Sequence, residues 1–204
     1  MTLPKLNPLV VESLHSIGIE RLYSFQEKIL PKIKSGANFF LFADEGVGKT
    51  TAMIIFIVNK LNASALDDVP RVLIYVKDKA AAISLEEKFR NFTDNNDLRV
   101  VVAYEENAIL KQRDEIYLGA DIVIATPKRM SKLYYMNGIN TGRINTIIIE
   151  DAEFLKGTDF HTDINRISES IERCQYLVFA KKMDSGIEKL KNLFMANAQV
   201  ISDN

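Results

Sequence analysis

Residues 43–51, ADEGVGKTT, combine two glycines with a lysine and two threonines, directly ahead of the apolar stretch AMIIFIVNKL. Gly46 and Gly48 permit backbone angles, and a close approach to a bound group, that larger side chains would block. The N–H groups of such a loop and the N-terminus of a following helix together surround an anion. The stretch matches a P-loop except that Ala43 replaces the first glycine, so it predicts a phosphate-binding loop.

The side chains of this loop predict separate roles. Lys49 would reach the β- and γ-phosphates of a nucleotide, and the Thr50 hydroxyl would bind Mg²⁺. The alternative is a glycine-rich turn that ends in Lys-Thr by chance, but the strand–loop–helix context weighs against it. We predict these nucleotide-binding residues in the loop: Gly46, Val47, Gly48, Lys49, Thr50 and Thr51.

The stretch INTIIIEDAEFLKG, residues 144–157, contains three carboxylates in four consecutive positions: Glu150, Asp151 and Glu153. P-loop enzymes use a second carboxylate, at the end of a neighbouring strand, to hold the magnesium shell. Glu150 directly follows the apolar run, and Asp151 comes next. We therefore predict that Glu150 binds the metal together with Thr50, partly through water. The other interpretation is that these acids are the solvated start of a loop.

Residues of this kind need a scaffold that brings both stretches together. Short apolar runs recur along the chain, and they are nearly continuous rather than alternating. This pattern is typical of strands in a sheet that is covered on both faces. The predicted strands are 38–43, 71–76, 98–103, 121–125, 144–150, 174–180 and 198–202.

Helix-like segments separate these runs, and two more precede the first strand. The alternation predicts an α/β fold with a mainly parallel sheet and helices on both faces, and ligands of such sheets gather at the carboxyl ends of the strands. With no linker or repeat, we predict one domain over 1–204, a helical region at about 1–37 and a sheet core at 38–204. The predicted helices are 7–17, 23–35, 49–62, 79–92, 107–118, 127–136, 159–172 and 184–195.

Composition excludes several classes of protein. The net charge of −1 argues against a polycationic nucleic-acid binder. Cys174 is the single cysteine, so an internal disulfide is impossible, and two histidines are too few for metal or triad chemistry. The chain has no signal-peptide pattern and no apolar run near the ~20 residues of a membrane span. We expect a cytoplasmic protein without a membrane partner.

Further signals narrow the choice of family. GIERLYSFQEKILPKIKSGANFFLFA precedes and includes the first strand, ATPKRM (125–130) follows the fourth, and EDAE (150–153) closes the fifth. Together with the P-loop, in this order, they resemble the first RecA-like domain of DEAD-box RNA helicases over essentially the whole chain. The resemblance implies a RecA-like P-loop NTPase fold that binds ATP and Mg²⁺.

For the nucleotide site, the resemblance implies that Gln26 is the glutamine that reads adenine, because an amide can both donate to and accept from the base edge. It also implies catalytic roles for the acidic pair. Glu150 would organise magnesium and its waters, and Asp151 would position the attacking water.

For nucleic acid, the resemblance implies a backbone grip by Thr126, Pro127 and Arg129, with Arg129 as a charge-assisted phosphate donor. Lys79 keeps the cation of a second RNA-binding motif. Single-stranded RNA is the expected partner ahead of DNA, although backbone contacts discriminate poorly between them. Taken alone, the stretch TPKR is also compatible with a helix that simply begins at proline.

The chain departs from the family's pattern at several of these positions. It has EDAE where the family has Asp-Glu-Ala-Asp, so every carboxylate is kept and every side-chain length is exchanged. Glu105 and Glu106 stand where paired glycines are expected, and Lys181 and Lys182 fall within the stretch that replaces Ser-Ala-Thr. No aromatic residue precedes Tyr23, so the family's adenine-stacking aromatic is missing.

The leading hypothesis is one half of an ATP-dependent RNA helicase or clamp, with weak or no hydrolysis by this chain alone. A second RecA-like domain, in cis or in trans, would supply the arginine finger, which contributes ~10³–10⁵ in rate. The alternative is a catalytically inactive helicase relative that serves as a nucleic-acid or protein interaction module. A small P-loop kinase fits less well, because nearly forty residues precede the first strand. A GTPase would need an Asn-Lys-x-Asp stretch at the end of a strand. The Asn-Lys of this chain, Asn59-Lys60, lies instead on the helix directly after the P-loop, so a GTPase is excluded.

Overall fold

The computed structural model describes residues 6–203 of the chain, and seven strands form one sheet in this part. The strand order is β3-β4-β2-β5-β6-β1-β7, and every neighbouring pair is parallel. The predicted parallel α/β fold is confirmed. The strands are β1 Phe39–Phe42, β2 Val72–Tyr75, β3 Val100–Ala103, β4 Ile122–Ala125, β5 Thr146–Ile149, β6 Gln175–Ala180 and β7 Gln199–Ser202.

Eight α-helices accompany the sheet within the described residues, each inside a segment that the sequence predicts as helical to within about one residue. In residues 6–203 no helix combines the length and the apolar character that crossing a membrane requires. The helices are α1 Pro8–Ser16, α2 Ser24–Ile33, α3 Lys49–Lys60, α4 Lys79–Thr93, α5 Ile109–Tyr117, α6 Pro127–Tyr135, α7 Phe160–Glu169 and α8 Ser185–Leu193.

Helices cover both faces of the sheet because successive strand residues point to opposite sides. In β1, Phe39 and Leu41 pack with α1 to α4, whereas Phe40 and Phe42 pack with α5 to α8. All four side chains of this strand are buried. The two hydrophobic cores explain why the strand sequences are continuously apolar rather than alternating.

The strand order corrects one expectation. The acid-bearing strand β5 is not the immediate neighbour of β1, because β6 lies between them. Two strand spacings separate β1 from β5, roughly 10 Å. All three strands are parallel, so their carboxyl ends still lie at one edge of the sheet. Chain order alone does not determine which later strand pairs with β1.

A short 3₁₀ helix, Ala152–Leu155, follows β5 in a segment for which the sequence predicts no helix. Ala152 and Leu155 are both fully buried in the core beneath α5 to α8. Residues three apart lie on the same side of a 3₁₀ turn, so one turn buries both. The acidic stretch is therefore anchored directly after Glu150 and Asp151.

Candidate functional site

The loop between β1 and α3 depends on glycine at two positions. Gly46 and Gly48 have φ angles of 84° and 82°, in the left-handed region that side chains rarely adopt. A Cβ at Gly48 would also lie 2.2 Å from Gln26 Nε2. The loop therefore needs glycine both for its backbone angle and for contact with α2.

Lys49, the first residue of α3, lies folded into its own loop. Its Nζ donates hydrogen bonds to the carbonyl oxygens of Ala43, at 2.6 Å, and Asp44, at 2.8 Å. The residue is buried, with 8% of its surface exposed. An ammonium group carries three N–H donors, so one remains after these two bonds. The positive charge is held at the N-terminus of α3, where an anion is favoured.

Thr50 and Glu150 meet although they are 100 positions apart in the chain. The Thr50 hydroxyl donates a hydrogen bond of 2.7 Å to Glu150 Oε1. Burial raises the pKa of the Glu150 carboxyl, and the nearby Asp151 raises it further. The Thr50 hydrogen bond opposes this, as do the ammonium groups of Lys88 and Lys49, but the net pKa stays above its ordinary value.

This hydroxyl–carboxylate pair fits magnesium better than a metal that needs an all-protein cage. No group of three or more His, Cys, Asp or Glu that could hold a metal occurs in residues 6–203. Mg²⁺ is commonly held by one or two carboxylates, with waters and substrate phosphates completing its shell. Thr50 and Glu150 could supply the protein's part of such a shell.

A cavity of about 640 Å³ opens beside this pair, a size typical of small-molecule sites. Val47 does not line it, because its side chain packs against the core. Glu150 does not line it either, but its carboxylate accepts a hydrogen bond from Thr50, which does. The predicted residues that do line the cavity are Gln26, Gly46, Gly48, Lys49, Thr50, Thr51 and Asp151.

Gln26 also lines the cavity, and its amide keeps hydrogen-bonding capacity. Its Oε1 accepts from the Tyr23 N–H at 2.9 Å, and its Nε2 donates to the Gly48 carbonyl at 3.0 Å. An amide group has two N–H donors and an oxygen with two lone pairs, so one donor and one acceptor position remain. The edge of adenine presents a matching pair, the N6 amino donor and the N7 acceptor.

The other two acids of the EDAE stretch, Asp151 and Glu153, point to different surroundings. Asp151 is exposed at the cavity with a φ of 46°, a left-handed conformation that Asp tolerates better than most residues. Glu153 instead accepts a hydrogen bond from the backbone N–H of Lys181. The Lys181 ammonium in turn lies 2.7 Å from Glu45 Oε1. This exposed ion pair connects the glycine loop to the residue that follows β6.

Part of the cavity lining is not predictable from the sequence. Lys88 lies on the exposed side of α4, and nothing in its local sequence distinguishes it from an ordinary surface lysine. Residues 18–25 belong to the stretch that carries the family resemblance, but nothing in that stretch predicts their individual contacts. The lining residues that were not predicted are Gly18, Ile19, Glu20, Arg21, Tyr23, Asp44, Glu45 and Lys88.

Thr126 and Arg129, predicted to grip nucleic acid, contact the loop after β3. The Thr126 hydroxyl donates to Glu105 Oε2 at 2.6 Å, and Arg129 Nη2 donates to the carbonyls of Glu105, at 2.6 Å, and Asn107, at 3.0 Å. Thr126 is only 4% exposed and Arg129 only 5%. The Thr126 hydroxyl is therefore paired within the chain, and the Arg129 guanidinium is held through Nη2, whereas its buried Nε has no partner among the described residues.

Lys79 and Pro127 complete this second cluster, at the carboxyl ends of β2, β3 and β4. Pro127 is buried at the start of α6. Lys79 is exposed at the start of α4, with its ammonium 5.4 Å from the centre of the Tyr104 ring. Of the four predicted nucleic-acid residues, Lys79 is the one that presents its side chain to solvent in the described structure.

A parallel sheet whose first strand leads through a glycine loop into a helix, opposite a carboxylate from a later strand, defines a P-loop NTPase domain. The family model described as DEAD/DEAH box helicase matches residues 23–184. The chain belongs to this family.

Named relatives agree with this assignment. The chain is 24% identical over 201 residues to DEAD-box ATP-dependent RNA helicase 9 of Oryza sativa subsp. japonica, covering 96% of this chain and 32% of that protein. It is 25% identical over 193 residues to ATP-dependent RNA helicase DeaD of Mycobacterium tuberculosis, covering 94% and 34%. The chain thus spans about a third of the length of these relatives.

Solved structures show the same fold. A DEAD box protein from Methanococcus jannaschii superposes with a TM-score of 0.89 at 20% identity, over 98% of this chain and 55% of that one. A hypothetical ATP-dependent RNA helicase from Sulfolobus tokodaii gives 0.84 at 24% identity, over 97% and 57%. The sheet is therefore the RecA-like sheet of DEAD-box helicases.

Proposed function

We propose that this chain, over 1–204, is a single RecA-like domain that binds Mg-ATP and forms one half of an ATP-dependent RNA clamp. The other half would be a second RecA-like domain, in cis or in trans. The observation that carries the proposal is the hydrogen bond between the Thr50 hydroxyl and the Glu150 carboxylate beside the glycine-loop cavity. It joins the two sequence signals that a Mg-nucleotide site requires.

Each residue of the site has a physical part in this proposal. The loop N–H groups and the N-terminus of α3 receive the phosphates, and Lys49 offers them its remaining N–H. Thr50 and Glu150 hold Mg²⁺, which neutralises phosphate charge when bound. Gln26 pairs with the edge of adenine and so favours ATP over GTP. Asp151, exposed at the cavity, positions the attacking water.

We propose that hydrolysis by this chain alone is weak or absent. The leading acid is one methylene longer than the family's aspartate, and the second is one methylene shorter. Misplacing a catalytic group by about 1 Å can cost on the order of 10²-fold in rate. An arginine finger from a second domain would be a further requirement.

For nucleic acid, we propose a weak, backbone-directed contact with single-stranded RNA at the cluster of Lys79, Thr126, Pro127 and Arg129. The support comes from the RNA helicases among the relatives and from the exposed ammonium of Lys79. Thr126 and Arg129 are buried, so they would support this surface by holding the loop after β3 in place rather than contact RNA directly.

Calorimetry with Mg²⁺ and a non-hydrolysable ATP analogue tests the nucleotide site. Wild-type chain should bind, and Lys49→Ala should lose binding because the loop loses its phosphate cation. Lys132→Ala is the matched control, since Lys132 is exposed on α6, on the opposite face of the sheet. No heat from wild type at millimolar nucleotide, or equal binding by Lys49→Ala, would defeat the proposal.

A second candidate function is an interaction module that turns over no ATP. The Glu105 contacts favour it, because a carboxylate already occupies the Thr126 hydroxyl on the face predicted to meet RNA phosphates. A phosphate-release assay with and without single-stranded RNA separates the two candidates. RNA-stimulated turnover that disappears in Asp151→Ala would exclude the module.

A further inference from the structure

Tyr23 is a large aromatic side chain that the fold leaves in solvent at the candidate site. It is 60% exposed, although its neighbour Leu22 is 8% exposed and Phe25 is fully buried. Tyr23 directly precedes α2, and its ring lines the same cavity as the glycine loop. Packing against the core therefore does not account for an aromatic residue at this position.

The ring lies beside Gln26 and Gly48 in the lining of the cavity. The backbone N–H of Tyr23 donates to Gln26 Oε1, and Tyr23 Cδ2 is 3.2 Å from the point where a Cβ at Gly48 would lie. The amide of Gln26 can satisfy only the edge of a base. A flat base also has two faces, which bind best against aromatic side chains.

Among the residues that line this cavity in the described part of the chain, Tyr23 is the one with an aromatic ring. We propose that the ring of Tyr23 stacks on the adenine base of the bound nucleotide and replaces the upstream aromatic that this sequence lacks. This inference rests on the proposed function. It assigns the base-stacking surface of that site to a residue that the family resemblance does not mark.

The test compares a nucleotide with a ligand that has phosphates but no base. Calorimetry would measure Kd for a Mg-bound, non-hydrolysable ATP analogue and for Mg-tripolyphosphate. Tyr23→Ala should weaken the nucleotide by roughly tenfold, a typical effect of losing base–aromatic stacking, and leave tripolyphosphate unchanged. Tyr23→Leu, which keeps apolar bulk without a ring, should behave the same way, and Tyr23→Phe should restore affinity to within about twofold.

Tyr135→Ala is the matched control, because Tyr135 ends α6, is 63% exposed and does not line the cavity. It should change neither Kd. Unchanged nucleotide affinity in Tyr23→Ala and Tyr23→Leu would overturn the inference, as would an equal loss for both ligands, which would assign Tyr23 to loop support. A loss in Arg21→Ala alone would transfer the role to that guanidinium. Wild-type chain that binds neither ligand would overturn the proposed function itself.

Discussion

Glu150 and Asp151 keep both carboxylates of the family's leading acidic pair but exchange their lengths. We predict that the double variant Glu150→Asp, Asp151→Glu hydrolyses ATP faster than wild type, by up to about 10²-fold, because each carboxylate returns to the reach that the family uses. Phosphate release at saturating Mg-ATP measures this. Glu153→Asp is the control, since Glu153 accepts from the Lys181 backbone and lies off the cavity. Unchanged turnover in the double variant would show that acid length does not limit the rate.

The hydrogen bond between the Thr126 hydroxyl and the Glu105 carboxylate should affect the affinity for RNA. Removing the carboxylate in Glu105→Ala frees the Thr126 hydroxyl and takes a negative charge from the predicted RNA face. We predict stronger binding of single-stranded RNA at low salt, by about fivefold, which is the effect of one charge interaction of ~1 kcal/mol. Fluorescence anisotropy with a labelled oligonucleotide measures the affinity.

Glu106→Ala is the matched control for that experiment. It removes the same charge from the adjacent, exposed residue but leaves the Thr126 contact in place. Equal gains in both variants would mean that only net charge matters. A loss of affinity in Glu105→Ala would mean that Glu105 supports the RNA face rather than occupying it.

At the scale of elements, Asp121 joins the amino ends of three strands, opposite the candidate site. Arg71, Arg99 and Asp121 directly precede β2, β3 and β4. Asp121 is fully buried, and its two carboxylate oxygens accept from Arg71 Nη2 at 2.7 Å and Arg99 Nε at 3.0 Å. A buried charge that loses its partners is costly, so each member of this network depends on the others.

We predict that Asp121→Asn lowers the free energy of unfolding by about 3–5 kcal/mol at neutral pH, because two guanidinium groups lose their shared counterion. Urea denaturation followed by circular dichroism measures it. Asp68→Asn is the control, since Asp68 pairs with Arg99 but its side chain is 73% exposed, and such pairs contribute ~0–1 kcal/mol. Similar losses in both variants would contradict the buried network.

The same carboxylate predicts a pH dependence of stability. Burial opposes the ionisation of Asp121, but hydrogen bonds from Arg99 and Arg71 outweigh it, so the pKa in the folded protein lies below its ordinary value. The folded state then binds fewer protons than the unfolded state. The stabilisation is complete above about pH 4, the unfolded-state pKa, and is lost as pH falls through the lower folded pKa. Asp121→Asn should flatten this acid limb of the stability curve, and an unchanged limb would exclude the contribution.

Local sequence patterns are sufficient to predict most of the strands and helices, because continuous apolar runs and helix-like segments depend only on nearby residues. The 3₁₀ turn at Ala152–Leu155 was not predicted, since it depends on which side chains the core beneath it accepts. The insertion of β6 between β1 and β5 was also missed, because chain order does not determine strand order. The glycine loop and Glu150 were placed correctly beside each other; their binding roles stay predictions.

Contacts between distant loops could not be predicted from the sequence either, because they depend on which strands and helices are adjacent in the fold. The pairing of Thr126 with Glu105 requires the ends of β3 and β4 to be adjacent, and the position of Lys88 at the cavity requires α4 to pack beside α3. Neither neighbour is signalled in the local sequence. The burial of Thr126 and Arg129, which the resemblance assigns to RNA binding, therefore could not be predicted without the strand order.

At the scale of the whole molecule, the sheet separates ligand binding from structural support. The candidate nucleotide site lies at the carboxyl edge, and the Asp121 network lies at the amino edge. Variants of the nucleotide-contacting side chains should therefore leave the Asp121 network intact. A chain that folds without nucleotide gains stability from any ligand that binds only the folded state.

We predict that Mg-ATP at about 100 times its Kd stabilises the wild-type chain by about 2.7 kcal/mol. For a domain of this size, 1 kcal/mol corresponds to a shift in Tm of about 2–4 °C, so Tm should rise by about 5–11 °C. Differential scanning fluorimetry measures the shift, with a non-hydrolysable analogue to exclude turnover. Lys49→Ala should show no shift in Tm when Mg-ATP is added, and chelating Mg²⁺ should reduce the wild-type shift. An equal shift in Lys49→Ala would place the nucleotide elsewhere on the molecule.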